Sequence, residues 1–285
     1  MTEVNKGRAN KEYKDRLFRF IFGAEENREY LLSLCNAVAD TDYTDADDIE
    51  ITTLNDVLYV KMKNDISFLL GSQMNLFEHQ SSFNPNMPLR GLQYFAELYG
   101  TYIEKNGMNI YGSSLKKIPT PRYIVFYNGI KEQKDVVKLK LSTAFQIPDD
   151  SGEFEWTATM LNINAGHNRD LMTKCQSLNE YAEFVSLVRE YSQQMELKRA
   201  IDTAVNVASK WKCIGKFLSQ FKSEVNDMLL TEFDQKSYEE DLKEEGENRI
   251  INLYDRLTKE NRLQDIKKSF TDKTFREKLL KEYHL

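Results

Sequence analysis

The stretch from Lys63 to Gln80 constrains this chain most, because it reads as two short apolar runs joined by a polar turn containing Gly71. Such a pattern folds as a β-hairpin, and a hairpin commits its neighbours to a sheet. Asp65 stands at the start of the first run, and Glu78 and Gln80 stand at the end of the second. Strand side chains alternate faces, so Glu78 and Gln80 share one face while Phe77 and His79 share the other. Antiparallel pairing about the turn returns Asp65 to the end that carries Glu78 and Gln80. Two carboxylates converging on a sheet face are suited to a divalent cation. The same spacing also fits a plain solvated polar face, and spacing alone does not separate the two.

At 285 residues the chain can bury a full core, with more than one domain or one domain and a large extension. Aromatics are plentiful, with 16 Phe and 15 Tyr, and no apolar run is long enough to span a bilayer. Met1 to Lys14 is polar and charged, which argues against a secretory signal. Cys35, Cys175 and Cys213 are odd in number and far apart, matching neither a disulfide framework nor a zinc spacing. Three reduced thiols in a cytoplasmic protein are the expectation. The net charge of −6 argues weakly against nucleic acid as a partner. Its distribution matters more. From Lys105 to Lys140, eight bases, Lys116 and Lys117 among them, face two acids, Glu132 and Asp135, a balance of +6. That block is either an ordinary solvated face or a surface that tracks phosphates.

Along the chain, Tyr13, Leu17, Phe20 and Ile21 fall at helical spacing with Gly23 as a stop, and Leu31, Leu34, Cys35 and Val38 repeat the pattern. Ile49 and Ile51 begin a strand, while Val57 to Met62 is ambiguous. Pro88 is placed to start a helix running to about Glu104, with Leu92, Phe95, Ala96, Tyr99 and Ile103 as its buried stripe. Arg122–Tyr127 reads as a fully buried strand, followed by strand candidates at Val136–Leu141 and Thr157–Ile163. After about residue 170 the pattern is helical, beginning with a capping box at Ser177–Glu180. Helices over Ala200–Trp211 and Lys216–Leu230, the charged stretch Ser237–Asn248 and a last pair of short helices complete the chain. The predicted architecture is α/β, a mixed central sheet flanked by helices over 1–170, then a helical region over 171–285.

Several segments together resemble a known family. They are Asp15–Gly23, Asn64–Phe68, Glu78–Ser81, Asn84–Arg90 with Tyr94, Glu183–Ser186 and Glu224–Glu232. The pattern resembles the PD-(D/E)XK nuclease superfamily and, more narrowly, the Rpn-type recombination-promoting nucleases, also labelled PD-(D/E)XK family putative transposases. The likeness covers about residues 11 to 235. It implies a restriction-endonuclease-like core, DNA as partner and Mg2+ (or Mn2+) as cofactor. It also implies Asp65 and Glu78 as metal ligands and catalytic groups, with Gln80 where lysine is usual. Lysine would bring positive charge to a developing oxyanion, whereas a glutamine amide orients water without net charge. Asn64 stands where the superfamily name implies proline, a change that the Rpn-type pattern tolerates.

Asp15 is either an accessory catalytic carboxylate or a surface residue near a helix start. Arg90 and Tyr94 either meet substrate phosphate and support Glu78, or simply pack helix on sheet. Lys116 and Lys117 are the substrate-binding candidates of the basic block. His79 is expected as a packed neutral imidazole, and three scattered histidines give no zinc site. The functional expectation is a Mg2+-dependent DNA endonuclease linked to recombination or mobile elements. Its alternatives are a weakly active or inactive DNA- or partner-binding accessory protein on the same fold, or a transposase. The helical region is expected to assist DNA binding or self-association, with no membrane partner.

Overall fold

The computed structural model describes residues 16–52 and 66–283, the side chains of 16 and 231–248 excepted. Asp15, Asp65, His284 and the ambiguous segment 57–62 lie outside the described residues.

Helix α1, Arg16–Phe22, buries Leu17, Phe18, Ile21 and Phe22 on one face. Phe20, expected in that stripe, instead packs its ring at 4.9 Å from Phe217 and 5.1 Å from Phe221. A side chain at Gly23 would put a Cβ 2.8 Å from the Arg19 carbonyl, so this tight stop requires glycine. Helix α2, Arg28–Ala39, ends at Asp40 in the left-handed conformation.

Strand β1, Glu50–Ile51, pairs antiparallel with β2, Ile66–Leu70, which pairs antiparallel with β3, Gln73–Gln80. Leu70 faces Gln73 across the hairpin, and Gly71 at φ 57° supplies the left-handed residue that a two-residue loop demands. Helix α3, Met87–Lys105, crosses over to β4, Thr120–Tyr127, which lies parallel to β3. Strand β5, Val136–Lys140, occupies an edge, and β6, Thr157–Asn162, pairs parallel with β4 and antiparallel with β5. The result is a six-stranded mixed sheet in the order β1-β2-β3-β4-β6-β5. β4 is buried from Tyr123 to Tyr127, as a central strand covered on both faces must be.

One face carries a core of Met74, Leu76, Tyr123, Val125, Tyr127, Ala158 and Met160 under Tyr94, Phe95 and Leu98 of α3. The buried stripe of α3 thus differs from the expected one. Ala96 is exposed and Ile103 only half-buried, while Met87, Gly91, Tyr94 and Leu98 are buried. Gly91 explains the rotation, since a Cβ there would stand 2.2 Å from the Tyr123 ring. Only a residue without a side chain lets the helix turn this face to the sheet.

Helices α4, Arg169–Lys174, α5, Gln176–Ser192, α6, Leu197–Ala208, and α7, Gly215–Gln220, follow, and α8 runs over Lys222–Lys259. The expected capping box does not form: α5 starts at Gln176, and Glu180 turns away to accept from the Cys213 and Ile214 amides. The expected helix over Lys216–Leu230 is broken between α7 and α8 at Phe221. α8 continues through the charged stretch Ser237–Asn248.

The chain divides into compact units at Met1–Leu229 and Leu230–Leu285. The change from strand to helix does fall near residue 170, but packing does not divide the chain there. Tyr181 and Arg189 of α5 bond to His79 and Asn128 of the sheet region, which keeps α5 in the first unit. In the second unit the end of α8 packs with α9, Leu263–Thr271, and α10, Lys273–Glu282, around Leu253, Leu257 and Leu279. Arg262 bonds there to Asp265 and Glu282, each at 2.6 Å. No helix among the described residues is long and apolar enough to cross a membrane.

Candidate functional site

The alternation of β3 divides its last residues between two environments. Phe77 and His79 face the aromatic side of the sheet. His79 stacks on Phe18 at 5.1 Å and shares a 3.0 Å hydrogen bond with the Tyr181 hydroxyl. It is a packed imidazole, as expected. Glu78 and Gln80 share the face of Leu76 and Met74, beneath α3.

Glu78 is 2% exposed, and Arg90 of α3 donates from Nη2 to its Oε2 at 3.0 Å. Three features of α3 bring the guanidinium there. Pro88 sits in the first turn, and Arg90 therefore projects from the beginning of the helix over the end of β3. Tyr94, one turn on, accepts from the same Nη2 at 3.2 Å, with its ring 5.8 Å from the guanidinium carbon. Met87, three residues back, places its sulfur 3.6 Å from Nη1. Burial pulls the Arg90 pKa down, but Glu78, Tyr94 and Tyr123 raise it by more, so the guanidinium is held above its ordinary value and stays charged.

Gln80 is 6% exposed, with its amide nitrogen on the Met87 sulfur and its Oε1 buried without a hydrogen-bond partner. An unpaired buried carbonyl costs about 1–3 kcal/mol, so this one is held where a donor or a cation would relieve it. A carboxylate and an amide oxygen two residues apart on one strand face are hard donors of the kind Mg2+ takes. The residues present therefore fit a hard cation in part. Among the described residues, no group of three or more His, Cys, Asp or Glu side chains is placed to hold a metal. Asp65, the further ligand expected from the sequence, precedes Ile66, whose partner across the hairpin is Phe77, the neighbour of Glu78.

Of the sequence candidates, the structure brings together Glu78, Gln80, Arg90 and Tyr94. Tyr94 is buried in the core, and its hydroxyl accepts from the arginine. Lys116 and Lys117 are not brought to this cluster. They lie exposed in the loop entering β4 at Thr120, level with Gln73. Glu78 is five residues farther along the parallel ladder, roughly 16 Å away at strand rise. The other bases of that block are dispersed as well: Lys105 pairs with Glu50, and Lys138 donates to Thr159. Sequence reasoning missed Met87, which touches both Gln80 and Arg90. Its position three residues before Arg90 at a helix start was the available signal.

A second polar cluster closes the carboxyl ends of the parallel strands. Arg189 of α5 donates to the Asn128 carbonyl and, at 3.0 Å, to Asn164 Oδ1, and Asn164 donates at 3.0 Å to the Gly129 carbonyl. His167 joins Asp135 at 2.6 Å, a bond that holds the Asp135 carboxyl below its usual range. These contacts tie loops together.

The class thus defined is an α/β protein with a mixed six-stranded sheet and a buried, arginine-paired glutamate at the end of its third strand. No family model, no curated protein and no solved structure matches this chain.

Proposed function

We propose that the chain is a metal-dependent DNA endonuclease of the PD-(D/E)XK type, hydrolysing phosphodiester bonds in a recombination or mobile-element setting. The observation that carries this reading is the pairing of Glu78 with an unpartnered Gln80 carbonyl on one buried face, reached by Arg90 and Tyr94 from the next helix. The element order supports it: a helix, an antiparallel hairpin, a crossover helix and a strand parallel to the hairpin's second arm. Asp65 and Glu78 would hold Mg2+ or Mn2+. Bound there, the cation supplies Lewis-acid polarisation of the phosphate and a more acidic water. Gln80 would orient an attacking water through its amide oxygen. Arg90 meets the phosphate with a guanidinium fork suited to it. The test is nicking of supercoiled plasmid by the full chain. Cleavage should require Mg2+ and fall with Asp65→Ala and with Glu78→Ala; undiminished cleavage by both variants rules the site out.

A second reading has its own observation in favour. Glu78 already has a cationic partner in Arg90, so its charge is balanced without a metal. On that reading the chain is a DNA- or partner-binding accessory protein. Salt-dependent DNA binding with no Mg2+ or Mn2+ uptake in calorimetry would select it. A transposase activity on the same site would add strand transfer to a target, which the plasmid assay also registers.

A further inference from the structure

Strand β5 forms one edge of the sheet, beyond β6. Next to its two ends, the Leu141 amide donates to the Trp156 carbonyl and the Asn162 amide to the Asp135 carbonyl. Bonded pairs alternate along an antiparallel ladder, so Val137 and Leu139 turn their main-chain groups toward β6, and Val136, Lys138 and Lys140 turn theirs outward. Those three residues are exposed. Apart from the Lys140 carbonyl, which accepts from the Thr143 hydroxyl at 2.7 Å, their outward main-chain groups have no partner among the described residues. We propose that β5 is a docking edge for an extended segment of another protein, one in which apolar residues alternate with carboxylates. Nothing in this depends on Glu78 or on a metal.

The two faces of β5 set that chemistry. Val137 and Leu139 pack against the core under α3 yet stay half-buried, whereas Val125 and Met160 on the same face of β4 and β6 are fully buried. One more strand, apolar on that face, would close this side of the core. Exposed Ile130 precedes β5, and exposed Ile147 and Phe154 lie in the connection that follows it, so apolar surface stands at both ends of the edge. The other face carries the lysines. Lys140 stands 3.9 Å from Glu155, whereas Lys138 donates to the neutral Thr159 hydroxyl at 2.7 Å and has no carboxylate partner among the described residues. Main-chain bonds of the added strand would supply affinity, and carboxylates beside the lysines would supply the choice of partner. A second copy of this chain is a poor occupant. Pairing β5 with β5 in antiparallel register about Lys138 sets Lys138 against Lys138, and edge lysines are a common device against such contacts. The opposite edge of the sheet offers only Glu50 and Ile51 of β1, and Glu50 is already paired with Lys105. The lysines that repel a like strand are the ones that admit an acidic one.

The experiment titrates the full chain with two labelled synthetic peptides, one of alternating Val and Glu and one of alternating Val and Lys. Fluorescence anisotropy gives the affinities, and amide hydrogen exchange of the parent locates the contact. The Val/Glu peptide should bind roughly tenfold more tightly than the Val/Lys peptide, and it should slow exchange at Val136, Lys138 and Lys140 but not at Glu50 or Ile51. Joint substitution of Lys138→Glu and Lys140→Glu should invert the preference between the peptides. Lys138→Pro removes only an outward amide from an edge strand, so it should abolish binding with the melting temperature little changed. Equal affinity for the two peptides, no binding of the Val/Glu peptide, or exchange at β5 unchanged at saturation overturns the proposal, and the exchange result needs no variant to fold. A dimer in sedimentation that Lys138→Pro dissolves makes the occupant a second copy and overturns it as well.

Discussion

Glu78, 2% exposed at the end of β3, and Glu180, 4% exposed in α5, are two carboxylates buried in the same unit and held in opposite ways. Glu180 accepts from the backbone amides of Cys213, at 3.0 and 3.2 Å, and of Ile214, at 2.8 Å, just ahead of α7. Those donors belong to the main chain and cannot leave. Glu78 meets a side chain, Arg90, that reaches in from a neighbouring helix. Burial is therefore no guide to function by itself. What separates the two is whether a side chain or the main chain meets the carboxylate, and whether an unsatisfied acceptor lies on the same strand face. Gln80 Oε1 meets that condition for Glu78.

The largest difference should appear in cleavage. Glu78→Ala is expected to lower the Mg2+-dependent nicking rate by about a hundredfold or more, the scale of removing a group that acts on transition-state charge. Glu180→Ala should keep its rate per folded molecule. Equal losses in the two would erase the distinction. Stability should run the other way. Glu180→Ala strands two backbone amides, at about 1–3 kcal/mol for each one left buried, so a cost near 3 kcal/mol is expected in urea unfolding. Mn2+ should then raise the melting temperature of the parent and of Glu180→Ala, but not of Glu78→Ala.

A subtler change concerns the acceptor. Gln80→Leu removes an unpaired carbonyl, so without metal it should be neutral or stabilising by up to about 1 kcal/mol, while lowering the Mg2+-dependent nicking rate about tenfold. Simultaneous loss of stability and an unchanged rate would mean that Gln80 is only packing. The smallest effect sits beside Glu180. Burial, and then the Glu180 charge, raise the Cys213 thiol pKa, so its thiolate appears at higher pH than that of a free cysteine. Glu180→Gln removes the second cause and should lower that pKa, speeding alkylation of Cys213 a few-fold at pH 8, with Cys213→Ser as control. Glu78→Gln should not change it. Burial pushes the Cys35 thiol up to about 11. Its folded form holds the proton longer than the unfolded chain does. Its contribution is therefore complete below the free-thiol range and is lost as pH rises toward 11.

The hairpin was the most legible part of the sequence, because alternation and one turn glycine fix both strands and the register. That register is what places Glu78 and Gln80 on one face and His79 on the other. The start of α3 was legible from Pro88, but its buried face was not. Apolar spacing cannot anticipate that Gly91 admits the Tyr123 ring, a contact between residues 32 positions apart in sequence. The Ser177–Glu180 motif misled for a related reason. A local cap competes with a distant pair of amides at 213 and 214, and tertiary packing decided for the latter. Lys116 and Lys117 are substrate-binding candidates on charge pattern alone, which carries no information about where the block lies on the sheet. The parallel crossover instead delivers them to the far end of β3. Proximity of charges along a chain says little once strands run side by side.

The central claim is that Glu78 is a cation ligand whose resting partner is Arg90. Its most direct test is a crystal of the full chain soaked in Mn2+ and measured for anomalous scattering. The account predicts a peak at about 2.2 Å from a Glu78 carboxylate oxygen and nothing at Glu180. A map with no peak at Glu78 under saturating Mn2+ would contradict it.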